Sequence, residues 1–401
     1  MKQGVDSMIR ILFVDDEVSV LQAMQRSLHG MRNEWSMTFA SSGAAALEEL
    51  AKRPADVIVS DMRMPGMDGW QLLEHVKALH PQMVRLVLSG HADPGSIMRS
   101  IGVAHQYLAK PCESAVLKAA ISRTHSLKKM LSSPRLARLV GGVGMLPSAP
   151  KAFQEILACL KEPKASVAQA AQIIGQDAAM TANVIKLVNS AFFGSRQPIT
   201  TVNRAIAYLG LDTLGSLVLG YSVFSSGAKS VIPGFNLERV WQHSLDVAVT
   251  ARTVALFEKF PPAKVEEGFL AGMLHDVGKV VYATLPGATS DAAAVSLDET
   301  IEQIKAHHAE IGAYLLGLWG FPISIVEAVG FHHAPSEAVG EGLTLPKLIH
   351  IADRLVHERH AQGADNDRTL EPDLLETLGL EKHWAGWMST LDSLDAAGIA
   401  P

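Results

Sequence analysis

The sequence is poor in cysteine, in uncharged apolar runs and in charge of either sign. Cys112 and Cys159 are the only cysteines in 401 residues. Two thiols so far apart exclude a disulfide scaffold and fit a reducing, cytoplasmic compartment. No uncharged apolar run is long enough to span a bilayer, because Asp212 and Arg252 interrupt the two most apolar helical stretches. Lys2 and Arg10 flank only a very short apolar run, which is not a secretory signal, and residues 1–7 read as a loose leader. A net charge of −6 gives no electrostatic reason to expect nucleic acid or an anionic membrane as partner. Internal repeats and low-complexity tracts are missing as well. What the chain does have is apolar residues, at 48%, enough for two or three domains each with its own core.

Residues 8–125 alternate strand and helix signals. Strands are predicted at 9–14, 35–40, 57–60, 84–88 and 106–109. Helices are predicted at 18–30, 44–50, 68–79, 94–102 and 113–131. Such alternation implies a doubly wound, five-stranded parallel sheet of flavodoxin-like type. In that topology the residues at the carboxyl ends of the strands share one crevice. Those residues are Asp15 and Asp16, then Asp61, Ser89 and Lys110. Three carboxylates together need a hard cation among them, and Mg²⁺ takes oxygen ligands and bridges to phosphate. Asp61 is placed to carry a covalent phosphoryl group. Ser89 offers a hydroxyl, Lys110 a positive charge for phosphoryl oxygens, and Lys110-Pro111 is a candidate cis peptide.

The acidic pair, the run from Asp61 through Met64-Pro65-Gly66-Met67-Asp68-Gly69, Ser89 and Lys110-Pro111 resemble the receiver domain of two-component response regulators over the whole of 8–125. The resemblance implies that a histidine kinase phosphorylates Asp61. It implies Mg²⁺ on Asp16, Asp61 and the backbone carbonyl of Arg63, with Asp15 acting through water. It makes Ser89 and Tyr107 a switch pair.

Residues 126–145 read as a linker: a helical tail with Lys128, Lys129, Arg135 and Arg138, then a hinge at Gly141-Gly142-Val143-Gly144. Its basic residues read as a solvated face. From Leu146 the strand signals vanish, and helical periodicity with proline breaks predicts an all-α domain. Predicted helices include 178–190, 212–225, 237–258, 264–281, 299–318, 344–360 and 371–395. Leu146-Pro147-Ser148-Ala149-Pro150, Ile173-Ile174-Gly175-Gln176-Asp177 and Leu187 to Gly194 resemble the HD-related output domain, HDOD, placed at 146–340. Residues 341–401 are expected to add helices that complete the bundle, with a homodimer contact as the less favoured use of their tryptophans.

His243, His275-Asp276, His307-His308, His332-His333 and Asp353 fall on successive helices. Imidazole and carboxylate on facing helices can hold one or two divalent metals in a bundle core. Their spacing resembles the HD superfamily of metal-dependent phosphohydrolases. That resemblance implies one metal on His243, His275, Asp276 and Asp353, and a second on or beside His308, His332 and His333. Iron, manganese and zinc are the candidates, with Lys279 facing a substrate phosphate. His307, His350, His357 and His360 are left as ordinary core or surface histidines. Residues 334–342 lack the Gly-Tyr-Pro that follows the paired histidines in relatives hydrolysing cyclic di-GMP. The reading is a response regulator whose phosphorylation controls an HDOD output acting through contacts with a signalling protein. A metal-dependent phosphohydrolase is the alternative. No helix-turn-helix with a basic recognition helix appears, so direct DNA binding is not expected.

Overall fold

The structure is a computed structural model that describes residues 8–89, 103–128, 134–144, 150–162, 165–189, 198–211, 235–284, 297–360 and 373–396, with a few single positions between them. The chain divides into two compact units, one built chiefly on residues 1–145 and the other on the remainder.

The first unit runs β1 (Ile9–Val14), α1 (Val18–Ser27), β2 (Trp35–Ala40), α2 (Gly43–Lys52), β3 (Val57–Asp61), α3 (Gly69–Leu79), β4 (Val84–Ser89), β5 (Gln106–Ala109) and α4 (Ser114–Lys128). The strands pair in parallel in the order β2-β1-β3-β4-β5. Every residue of β3 is buried, as expected of a central parallel strand covered on both faces. Asp68 caps α3 through Gln71 N, and Gln71 returns the bond to Asp68 N, so the chain leaves the Met64-Pro65-Gly66 turn straight into a helix. The predicted helix at 94–102 lies outside the described residues.

The linker is not one helical tail. A separate helix, α5 (Pro134–Gly141), starts on a proline, and its last carbonyl is held by β4. Arg85, fully buried, donates from Nη2 to Gly141 O at 2.6 Å, from Nη1 to Met83 O at 3.0 Å and from Nε to Val103 O. The backbone N–H of Arg85 donates to His105 Nδ1 at 3.0 Å. His105 therefore carries its hydrogen on Nε2, which donates to the same Gly141 carbonyl at 3.0 Å. A Cβ at Gly141 would lie 2.2 Å from Pro81 O, so only glycine lets the helix end seat there.

The second unit contains α6 (Pro150–Lys161), α7 (Val167–Gly175), α8 (Ala178–Val188), α9 (Val202–Leu209), α10 (Leu237–Phe257), α11 (Pro262–Leu274), α12 (Val277–Thr284), α13 (Leu297–Leu318), α14 (Ile323–Gly330), α15 (Leu345–His360), α16 (Leu374–Leu378) and α17 (Trp384–Ala396). The stretch predicted as one helix over 264–281 breaks at His275-Asp276 into α11 and α12. That over 371–395 breaks into α16 and α17 with a 3-10 turn between them. The expected helix at 212–225 falls almost wholly outside the described residues. At the centre, a Cβ on Gly272 would lie 2.6 Å from the Cα of Ala248, so the backbones of α10 and α11 touch. Trp387 of α17 is buried and donates to Glu258 Oε1 at 2.9 Å, an oxygen also 2.7 Å from His383 Nδ1. Among the described residues no helix is long and apolar enough to cross a membrane.

Candidate phosphoacceptor pocket and candidate metal centre

β1 and β3 are neighbours, so their carboxyl ends bring Asp15 and Asp61 to one crevice. Lys110, one residue beyond β5, places Nζ 2.7 Å from Asp15 Oδ2 and 2.7 Å from Asp61 Oδ1. Lys110-Pro111 is cis. Asp15 Oδ1 accepts from Glu17 N at 3.0 Å. Asp61 Oδ2 accepts from Arg63 N at 2.9 Å, which fixes the Arg63 backbone beside the carboxylate. Burial lowers the pKa of the Lys110 ammonium, but bonds and charge from Asp15 and Asp61 outweigh it and hold that pKa above the ordinary lysine value. Two buried carboxylates against one ammonium leave negative charge in a nest of oxygens, a donor set suited to Mg²⁺. A Cβ at Gly69 would lie 2.0 Å from Asp61 O, so α3 starts directly against the backbone of Asp61.

Asp16 is partly exposed beside Asp15. Ser89 ends β4 opposite Ala109, and its side chain lies outside the described residues. Tyr107 is buried in a cluster with Met62, Met64 and Val87.

In the second unit the break between α11 and α12 puts His275 and Asp276 in the turn, where both side chains point to one buried centre. Three overlapping groups offer ligand atoms within 4.8 Å of one another: His243, His275 and Asp353; His275, Asp276 and His332; and His308, His332 and His333. The ring orientations are fixed from behind. His275 Nδ1 meets Gly272 O at 2.7 Å, His308 Nδ1 meets Ile304 O at 3.0 Å, and His332 Nδ1 meets Val329 O at 2.7 Å. A carbonyl only accepts, so each Nδ1 carries the hydrogen and each Nε2 turns a lone pair inward. Burial drives His275 down to about 4, with Asp276 and Asp353 offsetting part of it, and drives His332 well below the ordinary histidine value. Both rings are therefore neutral at pH 7. Asp276 is fully ionised: burial alone would raise it, but Lys279 Nζ at 2.5 Å from Oδ2 and the nearby imidazoles hold it far below the usual carboxylate range.

These atoms fit a cation. His308 Nε2 and His332 Nε2 stand 3.3 Å apart, two inward lone pairs with no hydrogen to share. Nε2 of His243 and of His275, with Oδ1 of Asp276, are buried without a well-formed hydrogen bond. Orphaned nitrogen and oxygen donors oriented by backbone carbonyls are the arrangement of a metal site held by outer-shell bonds.

Two of the four histidines left as ordinary behave that way: His307 pairs with Glu310 and the exposed His360 with Asp246. The other two lie beside the candidate centre, outside its groups of converging ligand atoms. His350 Nδ1 donates to His332 O at 2.7 Å, and His357 Nε2 lies 3.3 Å from Asp353 Oδ1. Their spacing from Asp353, three residues before and four after, is the helical signal that would have found them.

Residues 11–122 match the response regulator receiver domain family, and residues 146–335 match the HDOD domain family. An uncharacterized protein of Treponema pallidum is 26% identical over 230 residues, 55% of this chain and 44% of that protein. NtrC of Escherichia coli, described as a DNA-binding transcriptional regulator, is 32% identical over 157 residues, 39% of this chain and 32% of NtrC. The chain thus spans less than half the length of these relatives. Among solved structures, the MmoQ response regulator of Methylococcus capsulatus is 23% identical, covering 61% of this chain and 98% of that one with a TM-score of 0.48.

Proposed function

We propose, for a chain that carries a response regulator receiver domain followed by an HDOD domain, that a histidine kinase phosphorylates Asp61 in the cytoplasm and thereby controls a metal-holding HDOD output that signals through protein contacts. The observation that carries the reading is the Lys110 ammonium bound to Asp15 and Asp61 together. In the transfer, an Asp61 oxygen attacks the phosphorus of the kinase phosphohistidine, the P–N bond breaks, and the imidazole leaves with the electron pair. Asp16, Asp61 and the Arg63 carbonyl, with Asp15 through water, would hold a Mg²⁺ ion, which when bound would neutralise charge developing on the phosphoryl oxygens. Lys110 exchanges part of its hold on Asp61 for a phosphoryl oxygen, and Ser89 and Tyr107 then rearrange as the switch pair. The test is labelling by radioactive acetyl phosphate with Mg²⁺. The wild-type chain takes up one phosphoryl group and Asp61→Asn takes up none; undiminished labelling of the variant would sink the assignment.

A second reading, metal-dependent hydrolysis of a phosphodiester, is favoured by Lys279, whose ammonium sits on Asp276 at the edge of the three donor groups, where a substrate phosphate would need it. The sequence after His333 weighs against cyclic di-GMP as that substrate. Elemental analysis of the purified chain separates the cases. Iron, manganese or zinc in the output unit supports both readings, and turnover of bis-p-nitrophenyl phosphate supports only the second.

A further inference from the structure

We propose that Arg85 and His105 form a latch that seats the linker helix α5 on the receiver, and that phosphoryl capture at Asp61 tightens this latch. The proposal rests on the phosphoacceptor reading of Asp61. The receiver family match ends at residue 122, so α5 is an addition to that domain, yet it belongs to the receiver unit. Leu136, Val140 and Val143 are buried, and the last carbonyl of α5 is gripped twice. Gly141 O accepts from Arg85 Nη2 at 2.6 Å and from His105 Nε2 at 3.0 Å. A guanidinium on the final carbonyl of a helix makes a charge-assisted bond at the negative end of the helix dipole.

The two donors come from different strands. Arg85 lies in β4, His105 immediately precedes β5, and the His105 N–H donates to Arg85 O at 2.8 Å. Both bonds to Gly141 O therefore hold only while β4 and β5 keep their present alignment. Two residues along β4, Val87 lies on the same face of the sheet as Arg85 and stands opposite Tyr107. Val87 and Tyr107 share one cluster with Val103, whose carbonyl accepts from Arg85 Nε. Packed and hydrogen-bonded contacts thus join the expected switch residue to the latch. In this structure Tyr107 is buried and the latch is closed at the same time. Phosphoryl capture, by drawing Tyr107 inward, favours that same arrangement and holds α5 more firmly.

The test is hydrogen exchange of the Gly142 and Val143 amides, which donate to Arg138 O and Val140 O. It uses the full chain in Mg²⁺, with and without beryllofluoride as the probe for a bound phosphoryl group. Beryllofluoride is expected to slow both amides at least roughly 5-fold, and by linkage unseating α5 raises the beryllofluoride Kd by the same factor. Gly141→Ala unseats the helix from its own side, because the added Cβ would lie 2.2 Å from Pro81 O, and it leaves every residue of the receiver family match in place. Arg85→Met unseats it from the strand side. In both variants the two amides exchange fast with or without beryllofluoride. Wild-type exchange that saturating beryllofluoride leaves unchanged would overturn the proposal. So would an unaltered Kd in a variant whose amides are fast, or amides that stay protected in both variants. A wild-type chain that binds no beryllofluoride would overturn the phosphoacceptor reading as well, and so is told apart from failure of the latch alone.

Discussion

At the scale of single residues, the candidate metal centre is built on buried histidines that stay neutral. His275, brought down to about 4, and His332, held well below the ordinary histidine value, refuse protons that the unfolded chain accepts below about 6.5. The unfolded state therefore binds more protons between about pH 6.5 and 4, and stability falls as pH drops through that window. Asp276 and Asp353 carry the same sign at lower pH. Their depressed values contribute stability that is complete well above the ordinary carboxylate pKa and is lost as pH falls below about 5, so the upper part of the window, from about pH 6.5 to 5, belongs to the histidines. In EDTA-treated full chain, hydrogen exchange of the α11 to α13 amides, corrected for intrinsic rates, should show opening free energy falling between pH 6.5 and 4. The slope approaches about 1.4 kcal/mol per pH unit for each histidine. A profile flat to pH 4.5 would show that these rings are already charged, and the inward lone pairs with them would be lost. Lys110 gives the control. Its raised value adds stability that is present below the ordinary lysine pKa and lost only as pH rises past the folded one, so it does not act in this window.

At the scale of elements, close backbone approach aims the side chains of the candidate centre. Gly278 begins α12 against α13, and a Cβ there would lie 1.9 Å from His308 O and 2.9 Å from Gly312 N. Neither obstacle is a side chain that can turn aside, so Gly278→Ala must push the two helices apart. It should cost about 1–3 kcal/mol and weaken Co²⁺ binding although every ligand remains. Unchanged affinity in a variant of lowered urea midpoint would separate packing from ligation and refute the coupling. The sequence made much of this legible. The β-strands lie where alternation with helices placed them, because buried parallel strands are short apolar runs with chemistry at their ends. The side chains that converge at the candidate metal centre were legible as His and Asp on successive helices. The turn at His275-Asp276 was not, since helical periodicity runs through it and only packing against α13 breaks it. Arg85 was hidden for a related reason. A strand of Val, Leu and Val residues gives no sign that its one arginine lies inward, holding the end of α5 by its carbonyl.

At the scale of the whole molecule, control of the output by Asp61 requires that the two sites share a free energy. Such coupling is reciprocal for equilibrium binding. Beryllofluoride, a binding analogue of the phosphoryl group, makes the test quantitative, since both of its partners are then ligands with measurable Kd. If beryllofluoride on Asp61 changes the Co²⁺ Kd of the output by some factor, Co²⁺ must change the beryllofluoride Kd by that same factor, expected at roughly 5- to 150-fold. Both titrations are run on the full chain in saturating Mg²⁺, by equilibrium dialysis for Co²⁺ and by intrinsic fluorescence for beryllofluoride. Asp61→Asn should abolish the effect while leaving the Co²⁺ affinity at its resting value. A shared factor different from one would establish that the two sites are energetically coupled. A factor of one in both directions would mean that the metal centre is a static part of the HDOD core, and the phosphoryl signal would have to leave the receiver by another surface.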